Sequence, residues 1–179
     1  ILLDCRGKYA ARKKAQEHID AGAAKVLHSY PGAATVPAIV YGVNHCQIKD
    51  EHPIISAASC TSNALAPVLG ELDAAFGIRN GVVTTIHASM HDQPVIDAYH
   101  SDDLRKNRAA SQSIIPVDTA LAAGVARVIP SLENKLIAHA IRVPVSNVSA
   151  LNVTVELAGE VTAEAVNNRL ESAAQGALT

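Results

Sequence analysis

PIISAASCTSNALAPVLGELDAAFG, residues 53–77, changes periodicity within a few positions. Pro53 to Ser59 is a short apolar run that reads as a buried strand. From Asn63 onward, Leu65, Val68, Leu69 and Leu72 fall at helical spacing, and Gly77 stands where such a helix should stop. Pro67 lies inside that helix, which predicts a kink or a short first turn. Cys60 sits at the joint, between Ser59 and Thr61.

Upstream, ILLDC (1–5) and AKVLHSYPG (24–32) read as strands flanking the helical segment 7–22, where Ala11, Ala15 and Ile19 share a face. Strand, helix and strand at this spacing imply a parallel βαβ unit, so the first third is α/β. AIVYGVN (38–44) reads as a further strand. Downstream, GVVTTIHASM (81–90) is a β-branched strand, followed by a long polar loop over 91–113. Loops of that length are usually functional. Asp118 is the expected N-cap of a helix over 118–130, and Pro130 its stop. LIAHAIRVPVSNV (136–148) and ALNVTVEL (150–157) read as strands, and Thr162 caps a last helix over 162–176. The change of pattern near Ser59 marks the expected domain boundary. The apolar opening and the end just past a helix both read as cuts through a larger fold.

Composition narrows the functions. Of 179 residues, 49% are hydrophobic and only 3% aromatic, so a core exists and is built from Ala, Val, Ile and Leu. The net charge is −2 with no long basic run, which gives nucleic-acid or membrane-surface binding no electrostatic support. No apolar stretch reaches transmembrane length. Three widely spaced cysteines, with no CxxC pattern, fit a reducing cytoplasm better than a disulfide framework, and no metal site is expected.

Cys60 has two readings. In the first turn of a helix, unpaired N–H groups and the positive dipole end favour a thiolate and can hold an oxyanion. Most free cysteines, however, are small buried hydrophobes. His87 ends a strand beside a loop, where a base could stand or a solvated ring could simply cap the strand. A Cys–His pair would supply a nucleophile and a proton acceptor. Arg142, inside an apolar strand, needs an anion: a substrate phosphate or an internal carboxylate. For Arg105 and Arg108 in the polar loop, solvated charge is the default. No GxGxxG or GxxxxGK[ST] motif is present.

Taken in order, ASCTSNALAP, GVVTTIHASMHDQ, RAASQSIIPVDT and IRVPVSNVSALNV resemble successive segments of the phosphorylating glyceraldehyde-3-phosphate dehydrogenase family. The resemblance runs along essentially the whole chain. SCTSN followed at the family's distance by TTIH is its most specific part. Within the family, TIHASMHDQPVIDAYH and IIPVDTALAAGVARV are more similar to the erythrose-4-phosphate dehydrogenase branch than to the glycolytic one, with Met90 and Ala120 as the marker positions.

The resemblance implies an α/β fold: a remnant of a Rossmann-like parallel sheet, then an α+β catalytic domain with a large mixed or antiparallel sheet. Residues 1–58 would be the C-terminal part of the NAD-binding domain and 59–179 an incomplete catalytic domain. Cys60 would be the nucleophile and His87 the base. Ser59, Thr61, Thr119 and Arg142 would bind substrate phosphate, and Arg105 would be the least secure member of that set. Gly7 and Ser29 would face the NAD cofactor, the substrate would be a phosphorylated aldose, and the assembly would be a homotetramer. Arg6 stands where the family has a small hydroxyl residue, and Ala64 where it often has a second cysteine. The glycolytic activity, an inactive fragment of either enzyme, and a cofactor-free Cys–His hydrolase are the rival readings.

Overall fold

The computed structural model describes residues 1–7, 12–99, 103–176 and 178. Two sheets form. The first is parallel, in the order β1 (Leu2–Asp4), β2 (Val26–His28), β3 (Ile54–Ser56). Helix α1, described over Arg12–Asp20, follows β1, and its Ala15 and Ile19 pack with Val26, Val36 and Ile54. The expected start of this helix at 8–11, including Ala11, lies outside the described residues. Gly22, at φ +104°, turns the chain after the helix in a conformation that a side chain resists.

The second sheet is mixed. Its order is β5 (Ile115–Val117), β6 (Leu136–Arg142), β4 (Ile78–His87), β7 (Ala150–Leu157), with β4 parallel to β6 and the outer pairs antiparallel. Both expected sheet types are therefore present in one α/β chain. Helices α2 (Cys60–Phe76), α3 (Leu121–Val128) and α4 (Ala163–Ala174) accompany this sheet. Leu65, Leu69 and Leu72 of α2 bury against Ile78 and Val83 of β4 and against Leu121 and Val125 of α3. Each such side chain contributes about 1.5–3 kcal/mol on leaving water. On β7 the inward positions are Leu151, Val153, Val155 and Leu157, as the alternation predicts.

Gly81 is required where β4 meets β7. A Cβ there would lie 2.8 Å from Val155 Cγ1 and 2.9 Å from the Thr154 carbonyl oxygen. The two sheets are tied together by Arg127 of α3, whose guanidinium donates to the carbonyls of Gly32 (2.9 Å), Ala33 (3.0 Å) and Val36. Ala38, Val40, Ala58, Ala66 and Val128 form a small apolar cluster beside that tie.

Three local expectations are corrected. Residues 38–44 are not a strand: Ala38 makes one isolated bridge to Ser56, and the chain then turns. Asn44 causes this, because its side chain accepts from Val40 N and donates to Ala38 O, which satisfies the backbone without a ladder. Asp118 is not an N-cap: α3 begins at Leu121, Thr119 Oγ1 accepts from Leu121 N, and Asp118 instead pairs with Arg105 at 3.0 Å. The strand expected over 136–148 ends at Arg142. β5 is an addition, since its three residues are too few to show a period. Among the described residues, no helix is long and apolar enough to cross a membrane.

Candidate active site

The joint between β3 and α2 is built by short polar side chains. Ser59 has extended backbone at the N-cap, and its Oγ accepts from Ser62 N at 3.0 Å. Asn63 reaches back to donate to the carbonyls of Ala57 (2.7 Å) and Ser59 (2.8 Å). Ser56, fully buried, donates to Tyr30 O (2.6 Å) and accepts from Gly32 N and Ala58 N (both 3.1 Å). Ala58 is held at φ +58°, a left-handed conformation that costs an L-residue roughly 1–2 kcal/mol. The strain is thus offset by hydrogen bonds on either side, and it turns the chain so that Cys60 opens the helix with an exposed thiol. The first N–H groups of a helix lack intrahelical partners, so they favour an anion beside the thiol.

His87 arrives from the other direction, as the last residue of β4. Its Nε2 lies 3.6 Å from Cys60 Sγ. Its Nδ1 lies 2.8 Å from the carbonyl oxygen of Ala88 and 2.7 Å from Arg142 NH1. His87 and Arg142 are register partners across the parallel β4–β6 pair. The ring's backbone is pinned, because Val143 N donates to His87 O (2.9 Å) and Ala88 N donates to Ser149 Oγ (3.2 Å).

One cavity of about 350 Å³ collects these groups. Its walls include Ser59, Cys60 and Thr61 from α2, His87 from β4, Arg142 from β6, Thr119, and Ser29 and Tyr30 beyond β2. Seven of the nine residues singled out in the sequence therefore share one cavity. Arg105 does not: it lines a neighbouring cavity with Asp118 and Thr119, and its charge is taken by Asp103 (3.1 Å) and Asp118. Gly7 lies outside the cavity lining too, just past β1 at φ +71°. Arg6 folds back onto the buried carboxylate of Asp4 at 2.8 Å. Hydrogen bonds from Arg6, partly opposed by burial, and a further bond from Tyr30 hold the Asp4 carboxyl well below the usual range.

Three contributors were missed in the sequence: Ser56, Asn63 and Tyr30. Only Asn63 carried a local signal, since Asn is poor inside helices and good at their ends. Among the described residues no group of three or more His, Cys, Asp or Glu side chains could hold a metal ion.

Comparison with protein-family models matches residues 59–179 to the glyceraldehyde 3-phosphate dehydrogenase C-terminal domain. The match begins at the Ser59 cap and takes in the cysteine, the histidine and the arginine whose geometry is described above. The chain therefore belongs to the glyceraldehyde 3-phosphate dehydrogenase family, a family of oxidoreductases, through this C-terminal domain.

Proposed function

We propose that this chain carries the catalytic residues for NAD-dependent oxidation of a phosphorylated sugar aldehyde, erythrose 4-phosphate to 4-phosphoerythronate. The observation that carries the reading is the Cys60–His87 approach of 3.6 Å inside a cavity that also holds Arg142 and Thr119. Residues 1–58 would form the C-terminal part of the cofactor domain and 59–179 the catalytic domain.

In this mechanism Cys60 gives up its thiol proton to His87 Nε2, Sγ attacks the aldehyde carbon, an S–C bond forms, and the carbonyl electron pair moves to oxygen. The first-turn N–H groups of α2 stabilise that oxyanion, and His87 Nε2 supplies the proton that makes it a thiohemiacetal. Gly7 and Ser29 would hold a nicotinamide cofactor, which would supply the hydride acceptor. His87 would take the hydroxyl proton back as the aldehyde carbon is oxidised, leaving a thioester on Cys60. Water then attacks the thioester, the acid departs, and the thiol is restored. Ser59, Thr61, Thr119 and Arg142 bind the substrate's phosphate.

The residues present fit the reactive end of such a cofactor. Ser29 and Tyr30 lie beyond the carboxyl end of a parallel strand, where dinucleotides bind α/β sheets, and they line the same cavity as Cys60. Gly7 lies past the end of the adjacent strand β1. The branch assignment rests on Met90, a cavity-lining residue at one of the marker positions.

A homotetramer is supported by apolar surface. Val95, Ile96, Tyr99, Leu104 and Ile114 are each more than two-thirds exposed along one segment. Three free cysteines support the cytoplasmic reading.

The test compares NAD reduction with erythrose 4-phosphate, without added phosphate, against glyceraldehyde 3-phosphate with it. Faster reduction with the former supports the proposal. Faster reduction with the latter moves the chain to the glycolytic reaction, and no reduction with either makes it an inactive piece of the family.

A further inference from the structure

In the second sheet β4 lies between β6 and β7, so the connection from β6 to β7 has to cross an end of β4. β6 runs parallel to β4 and β7 runs back against it, which puts the crossing at the carboxyl end of β4, where His87 stands. Residues 143–149 make this crossing as a strap over residues 87–89.

The strap holds two successive peptide groups. In the first, His87 O accepts from Val143 N at 2.9 Å, and Ala88 N donates to Ser149 Oγ at 3.2 Å. In the second, Ser89 N donates to Val145 O at 3.0 Å, and Ser89 Oγ donates to the same oxygen at 3.1 Å. A trans peptide points its N–H and C=O in opposite directions, so fixing Ser89 N–H on Val145 also fixes where the Ala88 carbonyl points. That carbonyl oxygen stands 2.8 Å from His87 Nδ1, and Ala88 itself is buried. Arg142, the residue before the strap, places NH1 2.7 Å from the same ring nitrogen. The Nδ1 edge of the ring is therefore held by the strap's root and by a carbonyl that the strap aims.

Val148 shows that this crossing is made under strain. It sits at φ +67°, a left-handed conformation that a β-branched residue avoids, and its side chain is largely exposed. Such a conformation persists where its surroundings over-determine it. Here Val148 N donates to Asn147 Oδ1 at 2.9 Å on one side, and β7 begins on the other, with Ala150 paired to Ile86. Ser149 lies between the strained residue and the strand, and its hydroxyl meets Ala88 N. It lies outside the lining of the cavity that holds Cys60, so it reaches the chemistry through Ala88.

We propose that Ser149 is a positioning residue for His87: the strained strap sets its hydroxyl on Ala88 N, and the peptide so fixed holds the imidazole with Nε2 facing the Cys60 thiol. This rests on the reading of His87 as the base in aldehyde oxidation and adds the residue that aims it.

The test compares the unsubstituted chain with Ser149→Ala and Ser149→Thr, the second of which keeps the acceptor hydroxyl. Two quantities are read: steady-state oxidation of erythrose 4-phosphate with NAD, and alkylation of Cys60 by iodoacetamide at neutral pH. Peptide mass spectrometry follows the alkylation, with the exposed Cys5 and Cys46 as internal references. Ser149→Ala should lower kcat by about 10–10²-fold with KM unchanged, the scale on which misplacement by an ångström acts. It should also slow Cys60 alkylation without changing Cys5 or Cys46, and Ser149→Thr should restore both.

A Ser149→Ala protein that matches the unsubstituted chain in both readouts overturns the proposal. So does a change confined to KM, which would make Ser149 a substrate contact, and so does a Ser149→Thr protein as slow as Ser149→Ala, which would make the loss one of packing. The alkylation arm gives its answer even where no substrate turns over. Failure of the underlying reading looks different: there, His87→Asn itself would leave Cys60 alkylation unchanged.

Discussion

Cys60 and His87 are 27 positions apart in sequence, yet Sγ and Nε2 stand 3.6 Å apart. The thiol is carried on the first residue of α2 and the ring on the last residue of β4. The helix packs along the sheet through Leu65, Leu69 and Leu72, so the apolar core sets the spacing of the two reactive groups. Replacing His87 with Asn keeps much of the shape and removes the proposed base. Aldehyde oxidation should fall by about 10²–10⁴-fold, the usual contribution of a positioned base. Cys60→Ser should abolish it, and steady-state rates of both variants check the assignment.

Ser56 holds the strand-to-helix joint from beneath. Ser56→Ala would leave Gly32 N and Ala58 N short of a partner at a fully buried site. The expected cost is roughly 1–3 kcal/mol, because buried polar groups lose their compensation. Denaturant unfolding measures it. An unchanged midpoint would show that the joint is held by Asn63 and Ser59 alone.

Gly81 tests the packing of the second sheet. A methyl group at this position meets both a side chain and a backbone carbonyl of β7, at 2.8 and 2.9 Å. The backbone atom cannot rotate away, so the strands must separate. Gly81→Ala should destabilise by about 1–3 kcal/mol and lower the melting temperature accordingly. Calorimetry on the two proteins decides it.

His28 gives stability a pH dependence of its own. It is fully buried at the end of β2, stacked on Tyr30, and neither ring nitrogen has a hydrogen-bond partner. Burial pushes its pKa down, against a weaker upward pull from Asp4. Below the ordinary histidine value of about 6.5, the unfolded chain binds a proton that the folded chain resists. The stability present above that pH is therefore lost progressively as pH falls below it. His28→Leu should flatten this acid limb in melting curves taken from pH 8 down to pH 5. A wild-type curve already flat over that range would refute it.

What the sequence determined by itself was local. The Thr162 cap, the alternation of β7, the helix stop at Gly77 and the apolar face of α2 all follow from residues within a few positions of one another. Covalent proximity makes such choices independent of the rest of the molecule. Where a side chain competed for the backbone, as Asn44 does at 38–44, or where Asp118 found Arg105 instead of a helix end, the local reading failed.

Tertiary structure alone decided whether Cys60 is packed among apolar side chains or exposed beside a histidine. Nothing near it in the chain distinguishes the two. The distinction comes from a parallel strand register that sets Arg142 beside His87, and from a helix–sheet interface that brings both to the thiol. Those contacts span separations at which the loop-closure cost is met by the whole core, so no short stretch of sequence encodes them.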